Sequence, residues 1–233
     1  MRLFDTPSSL WDMESGLPEP KLQLKNLHLA KSSLAAKPPL QKRAFDIVFA
    51  ALVVAFLLSW LIPIIACLIK LESRGPVFFK QLRTGKNGKP FYCLKFRSMH
   101  LNAEADSQQA SKYDSRITKL GAFLRRTSLD ELPQFINVLK GEMSVVGPRP
   151  HMLRHTETYS QAIDHFMVRH TVMPGITGLA QVSGYRGETK EVESMAKRVA
   201  ADIRYLHNWS FVLDLKIVLL TIWQSFKRNE NAF

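Results

Sequence analysis

The sequence predicts an α+β, mainly helical globule, membrane-associated through a re-entrant, kinked membrane helix and interfacial amphipathic helices, with one small β-hairpin. Three observations carry that expectation. Residues 47–69 contain no charged side chain, long enough to cross the ~30 Å hydrocarbon layer as a helix. A helix apolar all round for more than six turns is out of place in a soluble chain of 233 residues. Asn87-Gly88 lies between two short strand-like runs, the strongest local hairpin signal available. The net charge of +12 at pH 7 points to anionic partners: phosphorylated substrates, lipid headgroups or nucleic acid.

In chain order, residues 1–41 carry scattered charge and Pro18, Pro20, Pro38 and Pro39 without sustained periodicity, and read as a flexible or surface-lying leader. Residues 42–72 form the membrane helix. Pro63 interrupts its backbone ladder, and the Ser59 hydroxyl can take a carbonyl freed nearby, so Ser59 and Pro63 mark the expected break. Its flanks match, with Lys37, Lys42 and Arg43 before and Lys70, Arg74 and Lys80 after. Positive charge therefore sets no preferred inside, and both ends fit the same, cytosolic face. Cys67 and Cys93 have no metal or disulfide spacing, which suits a reducing compartment.

Residues 73–227 make the cytosolic domain, followed by a tail at 228–233. The hairpin is expected over 77–96, crowded by Lys80, Arg83, Lys86, Lys89, Lys95 and Arg97. This is either a charged edge that discourages strand pairing or a phosphate-facing surface. Residues 100–115 read as a helix and a loop, and 151–173 as one amphipathic helix. His151 and His155 have i, i+4 spacing but lack the acid of a zinc-protease motif, so the histidines of this helix read as core or surface residues. The glycine-rich 174–187 lacks the ending of a nucleotide P-loop and reads as turns. Residues 191–208 and 211–226 are helical, and the second either lies in the membrane interface with Trp209 and Trp223 at headgroup depth or packs on the core.

Between 125 and 150 the chemistry-bearing types converge. Asp130 and Glu131 are adjacent, preceded by Arg125 and Arg126, and the stretch closes on Gly147-Pro148-Arg149-Pro150, a rigid turn presenting a guanidinium. Adjacent carboxylates repel and stay ionised only with a cation or donors beside them. One could hold a divalent metal while the other attacks phosphorus. The same residues also read as a capping box, Ser128-x-x-Glu131, with Pro133 opening a helix.

Five blocks resemble a known family: Gly75-Pro76-Val77-Phe78-Phe79-Lys80-Gln81; Lys95-Phe96-Arg97-Ser98-Met99; Arg125-Arg126-Thr127-Ser128-Leu129-Asp130-Glu131-Leu132-Pro133-Gln134; Val146-Gly147-Pro148-Arg149-Pro150; and Pro174-Gly175-Ile176-Thr177-Gly178. In this order they are similar to the bacterial sugar transferases, the monotopic polyprenyl-phosphate phosphoglycosyl transferases of exopolysaccharide and glycan assembly. The resemblance runs from Lys42-Arg43-Ala44-Phe45-Asp46 to about residue 227. It implies that Asp130 attacks the sugar-bearing phosphorus of a UDP-sugar and releases UMP, that Glu131 holds Mg²⁺, and that undecaprenyl phosphate then takes the sugar phosphate, a hexose phosphate by the downstream blocks. It implies phosphate-binding roles for Lys80, Arg97 and Arg149, and further acidic positions near the site at Asp202 and Asp214. It also implies a place on the cytosolic face of the bacterial inner membrane, among membrane lipid.

Three features depart from the family pattern. Trp60 follows Ser59 where proline is usual, Leu179 stands where tryptophan is frequent, and only about forty residues precede the membrane helix. The leader or the C-terminal helix offers a surface for a homodimer. The alternative from another class is a non-enzymatic, membrane-tethered basic module that binds anionic lipid or nucleic acid. No helix-turn-helix, zinc or RNA-binding signature supports nucleic acid.

Overall fold

Charged residues at the start of the long helix and apolar residues near its end dock it onto the rest of the chain. A computed structural model describes residues 39–101, 114–185, 187 and 191–226. The expectations for the leader before residue 39, for most of 100–115 and for the tail lie outside the described residues. Helix α1 (Leu40–Val53) runs through a π-helical turn (Val54–Leu58) into α2 (Ser59–Glu72). Lys42 pairs with Asp214 at 2.7 Å. Asp46 accepts from the Ser144 hydroxyl and the Val145 N–H. Arg43 donates to the Val138 and Leu139 carbonyls at the end of a helix, adding to the Gly141 N–H that caps Val138.

The expected break is a bulge instead. The helix passes through Pro63 without interruption, and the irregular turn precedes it. There the Ser59 N–H reaches Val54 O, one residue beyond the α-helical partner. The Ser59 hydroxyl donates to Ala55 O at 2.7 Å and the Trp60 indole to Phe56 O at 2.8 Å. Carbonyls at the π-bulge thus take side-chain donors, as an apolar surrounding requires.

One stripe of the long helix is buried, through Ala50, Leu58, Ile65 and Ile69. The opposite stripe is as apolar and bare: Val48, Leu52, Phe56, Trp60, Ile64 and Leu68 recur every four residues and are each 44–74 % exposed. A surface helix in water would be polar there. The run from Leu40 to Glu72 is one helix long and apolar enough to cross a membrane.

Strands β1 (Phe78–Thr84) and β2 (Pro90–Phe96) pair antiparallel around Asn87 and Gly88, both at positive φ (56° and 76°) as a tight reversal demands. Period-two alternation splits the hairpin. Phe78 and Phe96 stack at 5.5 Å on the outer face and join Ile65, Ile69 and Leu124 in one apolar cluster. Gln81, Arg83, Cys93 and Lys95 share the inner face. Asn137 pairs with the edge of β2, donating to Tyr92 O and accepting from Leu94 N–H.

Helix α3 (Lys119–Arg126) is capped by Thr118, whose hydroxyl accepts from Gly121 N–H. Gly121 lies so close to the Ser98 carbonyl that a Cβ would overlap it. A 3₁₀ turn (Leu129–Glu131) follows, then α4 (Gln134–Lys140) and β3 (Ser144–Val146). The glycine-rich segment is not turns alone: Gly175–Thr177 forms β4, parallel to β3, and Leu179–Val182 a short α6. The stretch expected as one helix is α5 (Leu153–Ala162) and a 3₁₀ segment (Phe166–Thr171), divided at His165 with φ of 62°. Helices α7 (Val192–His207) and α8 (Phe211–Phe226) complete the globule. Val212, Leu219, Ile222 and Trp223 leave an apolar stripe of α8 exposed.

Candidate active site

Three elements converge on Glu131. The 3₁₀ turn after α3 brings in Asp130 and Glu131, β2 brings Lys95 on its inner face, and the turn after β3 brings Arg149. Lys95 Nζ lies 2.7 Å from Glu131 Oε1. The Arg149 guanidinium takes both carboxylate oxygens, Nη2 to Oε1 at 2.5 Å and Nη1 to Oε2 at 3.0 Å. A bidentate pair of this kind fixes orientation as well as charge. Burial works against the Arg149 charge, but Glu131 outweighs it and holds the guanidinium above its ordinary value.

Asp130, next in sequence and 6 % exposed, is treated differently. No described residue donates a hydrogen bond to its carboxylate. Burial pushes its pKa above the ordinary 3.8 and the Glu131 charge adds to the rise, while Lys95, Arg125 and Arg149 pull it back. The result is a desolvated carboxylate in a positive field with free lone pairs. The turn is not a capping box. Ser128 is left-handed at φ 60° without a side-chain cap, and the Glu131 side chain goes to the two cations.

Of the phosphate-binding candidates, Arg149 meets the dyad. Lys80 is exposed and opposite Leu94, on the other hairpin face from Lys95. Arg97 is buried, with Nη1 donating to Arg74 O and Nη2 to Ser73 O and its hydroxyl, where α2 ends. Asp202 pairs with Arg169 at 2.6 Å and Asp214 with Lys42. Lys95 and Arg83 are the residues that motif reading passed over. Strand alternation from Asn87-Gly88 would have placed them with Gln81 and Cys93, facing away from the aromatic pair.

His151 is buried beside Arg169 Nη1, 2.7 Å from its Nδ1. Because arginine only donates, Nδ1 accepts and the ring is neutral. Burial, then Arg169, Arg198 and Arg83, depress its pKa. Among the described residues no cluster of three or more His, Cys, Asp or Glu side chains offers an all-protein metal cage. Two adjacent hard carboxylates do fit Mg²⁺, which binds through one or two such groups plus substrate phosphates.

The family model described as bacterial sugar transferase matches residues 38–228. The chain belongs to the bacterial sugar transferase family. This sugar transferase chain is 54 % identical over 189 residues to the UDP-glucose:undecaprenyl-phosphate glucose-1-phosphate transferase of Escherichia coli (strain K12), covering 80 % of the chain and 40 % of that relative. The protein of the same description from Caulobacter vibrioides is 49 % identical over 195 residues, 83 % of the chain and 72 % of the relative. The exopolysaccharide production protein PSS of Rhizobium leguminosarum bv. phaseoli is 44 % identical over 194 residues, 81 % of the chain and 96 % of the relative. The chain thus spans about two-fifths of the Escherichia coli relative and nearly all of the Rhizobium one.

Proposed function

We propose that this sugar transferase moves a sugar-1-phosphate, glucose-1-phosphate first among candidates, from a UDP-sugar to undecaprenyl phosphate. The observation that carries the reading is a buried carboxylate without a hydrogen bond, Asp130, beside one gripped by two cations. A carboxylate oxygen of Asp130 attacks the sugar-bearing phosphorus, and the bond from that phosphorus to the bridging oxygen breaks, releasing UMP. A phosphate oxygen of undecaprenyl phosphate then attacks the same phosphorus, and the aspartyl oxygen leaves as the restored carboxylate. No net proton transfer is needed in either step. Both substrates are anionic, so Lys95 and Arg149 act by neutralising their approach and the charge on the transferring group. Glu131 is the residue that would hold Mg²⁺, which when bound supplies further neutralisation of the diphosphate. Glu131 also orients Lys95 and Arg149.

The lipid substrate requires a membrane, and the bare apolar stripe of the long helix supplies the surface to meet it. Its first half packs on β3 and α4 and its second on the hairpin and α3, so both ends dock on one globule. We read the helix as entering and leaving by the cytosolic face of the inner membrane, with the exposed face of α8 in the interface. The test is transfer of label from UDP-[¹⁴C]glucose into an organic-extractable lipid by protein in nanodiscs with undecaprenyl phosphate and Mg²⁺. Labelled lipid with equimolar UMP supports the reading. No labelled lipid from any UDP-sugar overturns it.

A further inference from the structure

Asp202 and Asp214 have no part in the transfer as derived, yet they are 1 % and 0 % exposed and each is paired with a cation from a distant element. The two pairs share a charge arrangement and differ in geometry: Asp214 Oδ2 accepts a hydrogen bond from Lys42, whereas Asp202 Oδ2 meets Arg169 as an ion pair outside hydrogen-bond geometry. Arg169, beside Asp202, donates through Nη2 to the main-chain carbonyl of Arg149 at 2.8 Å. Lys42, beside Asp214, donates through Nζ to the main-chain carbonyl of Val146 at 3.0 Å. Those carbonyls bracket the segment 146–149, which leaves β3 and carries the Arg149 side chain to Glu131.

The surroundings of the segment are equally committed. Gly147 N–H donates to Thr177 O and Gly175 N–H to Pro148 O, both at 2.9 Å. Arg83 holds Pro150 O at 2.6 Å and Thr84 N–H holds His151 O at 2.9 Å. Gly175 has no room for a Cβ because the Gly147 amide is against it. A buried ion pair returns little more than the desolvation it costs. Two such pairs ending on the same short segment are therefore poorly explained as stability devices.

We propose that Arg169–Asp202 and Lys42–Asp214 are twin positioning clamps for Arg149, each aspartate fixing a cation whose remaining donor locks one end of the arginine-bearing turn. Neither aspartate touches substrate. Tyr205 and Trp209 complete the second clamp by donating to Asp214, so its carboxylate stays buried without unsatisfied charge. The second clamp also ties the first turn of the membrane helix to the site, since Lys42 belongs to α1. The inference rests on the sugar-phosphate transfer proposed above.

The test is a double-mutant cycle on kcat/KM for UMP release in nanodiscs, read by labelled nucleotide. One change is Arg149→Ala and the other is Arg169→Leu together with Asp202→Leu. Removing both partners takes away one buried cation and one buried anion together, leaving the net charge around buried Arg198 unchanged, so the leucine pair is expected to fold, which thermal unfolding checks. Acting through Arg149, loss of the clamp lowers kcat/KM on the order of 100-fold when Arg149 is present and less than about 3-fold when it is absent. Equal losses in both backgrounds overturn the proposal. Should the leucine pair not fold, Arg169→Lys, which keeps a cation beside Asp202 but withdraws the donor from the Arg149 carbonyl, runs the same cycle with the same decision. Wild-type protein that releases no UMP overturns the transfer reading and this inference with it. An active wild type with an additive cycle overturns the clamps alone.

Discussion

The turn that carries Asp130 and the turn that carries Arg149 face each other across Glu131 and are built on opposite principles. Around Arg149 the carbonyls of Val146, Pro148, Arg149, Pro150 and His151 each accept a hydrogen bond, two of them from buried cations. In the other turn, Ser128 is left-handed and the Asp130 carboxylate receives no hydrogen bond from the described residues. One side of the site is made rigid and the other is left under-satisfied. A nucleophile solvated by donors would have to shed them to attack, whereas a cation that must not move gains from every contact. Under the proposed transfer, the contrast places fixed geometry on the Arg149 side and an unsolvated nucleophile on the Asp130 side.

Asp130→Asn tests the contrast most severely. Transfer falls by at least about 10³-fold, while thermal stability rises. The sign follows from burial: the native pKa of Asp130 lies above its unfolded value, so the native state binds more protons and stability is lost as pH rises through that native pKa. Asparagine removes this cost, and about 1 kcal/mol would raise Tm by about 2–4 °C. A variant both inactive and destabilised would contradict the account. The same raised pKa predicts that activity fades, as pH falls, earlier than for an ordinary carboxylate near 3.8, measurable in a pH–kcat/KM profile.

Next in size is the comparison of Lys95→Met with Lys80→Met. Lys95 touches Glu131 and Lys80 lies exposed on the other hairpin face. The first change should cost about 100-fold in kcat/KM and the second less than about 10-fold. A larger loss at Lys80 would return that lysine to the centre of the site.

His170 sharpens the rigid side. It lies near Pro148, Arg149 and Pro150, and neither ring nitrogen has a hydrogen-bond partner among the described residues. Burial, then Arg169, pushes its pKa down from 6.5 to about 4, so the unfolded state binds the proton first. Stability is therefore full above pH 6.5 and declines as pH falls toward 4, by on the order of 3 kcal/mol. His170→Phe should flatten that decline in chemical denaturation at pH 7 and pH 5. The smallest expected effect is Ser128→Gly, which relieves φ of 60° but loosens the unfolded chain. Unfolding free energies from urea titration should differ by less than about 1 kcal/mol.

Much of this was legible in the residues. The uncharged run, Asn87-Gly88, and the two C-terminal helices follow from periodicity and turn chemistry, and α8 falls on the expected residues. The π-bulge does not, because it depends on how Ser59 and Trp60 share carbonyls with the backbone. The division at His165 also escapes a periodic pattern that runs straight through it. At the site, Asp130, Glu131 and Arg149 declare themselves as adjacent acids and a proline-braced cation. Lys95 is hidden among six basic residues around the hairpin until strand register separates the two faces. Asp202 and Asp214 are singled out only by the family resemblance, and their partners Arg169 and Lys42 are 33 and 172 residues away in sequence, so only the fold names those partners.

Covalent use of Asp130 has a direct signature in mass. Protein in nanodiscs, given Mg²⁺ and UDP-glucose without undecaprenyl phosphate, should gain the mass of one sugar phosphate and release one UMP, with both signals absent in Asp130→Asn. UMP release that begins only when undecaprenyl phosphate is added, with no adduct in any UDP-sugar tried, would contradict the claim and point to direct transfer between the two substrates.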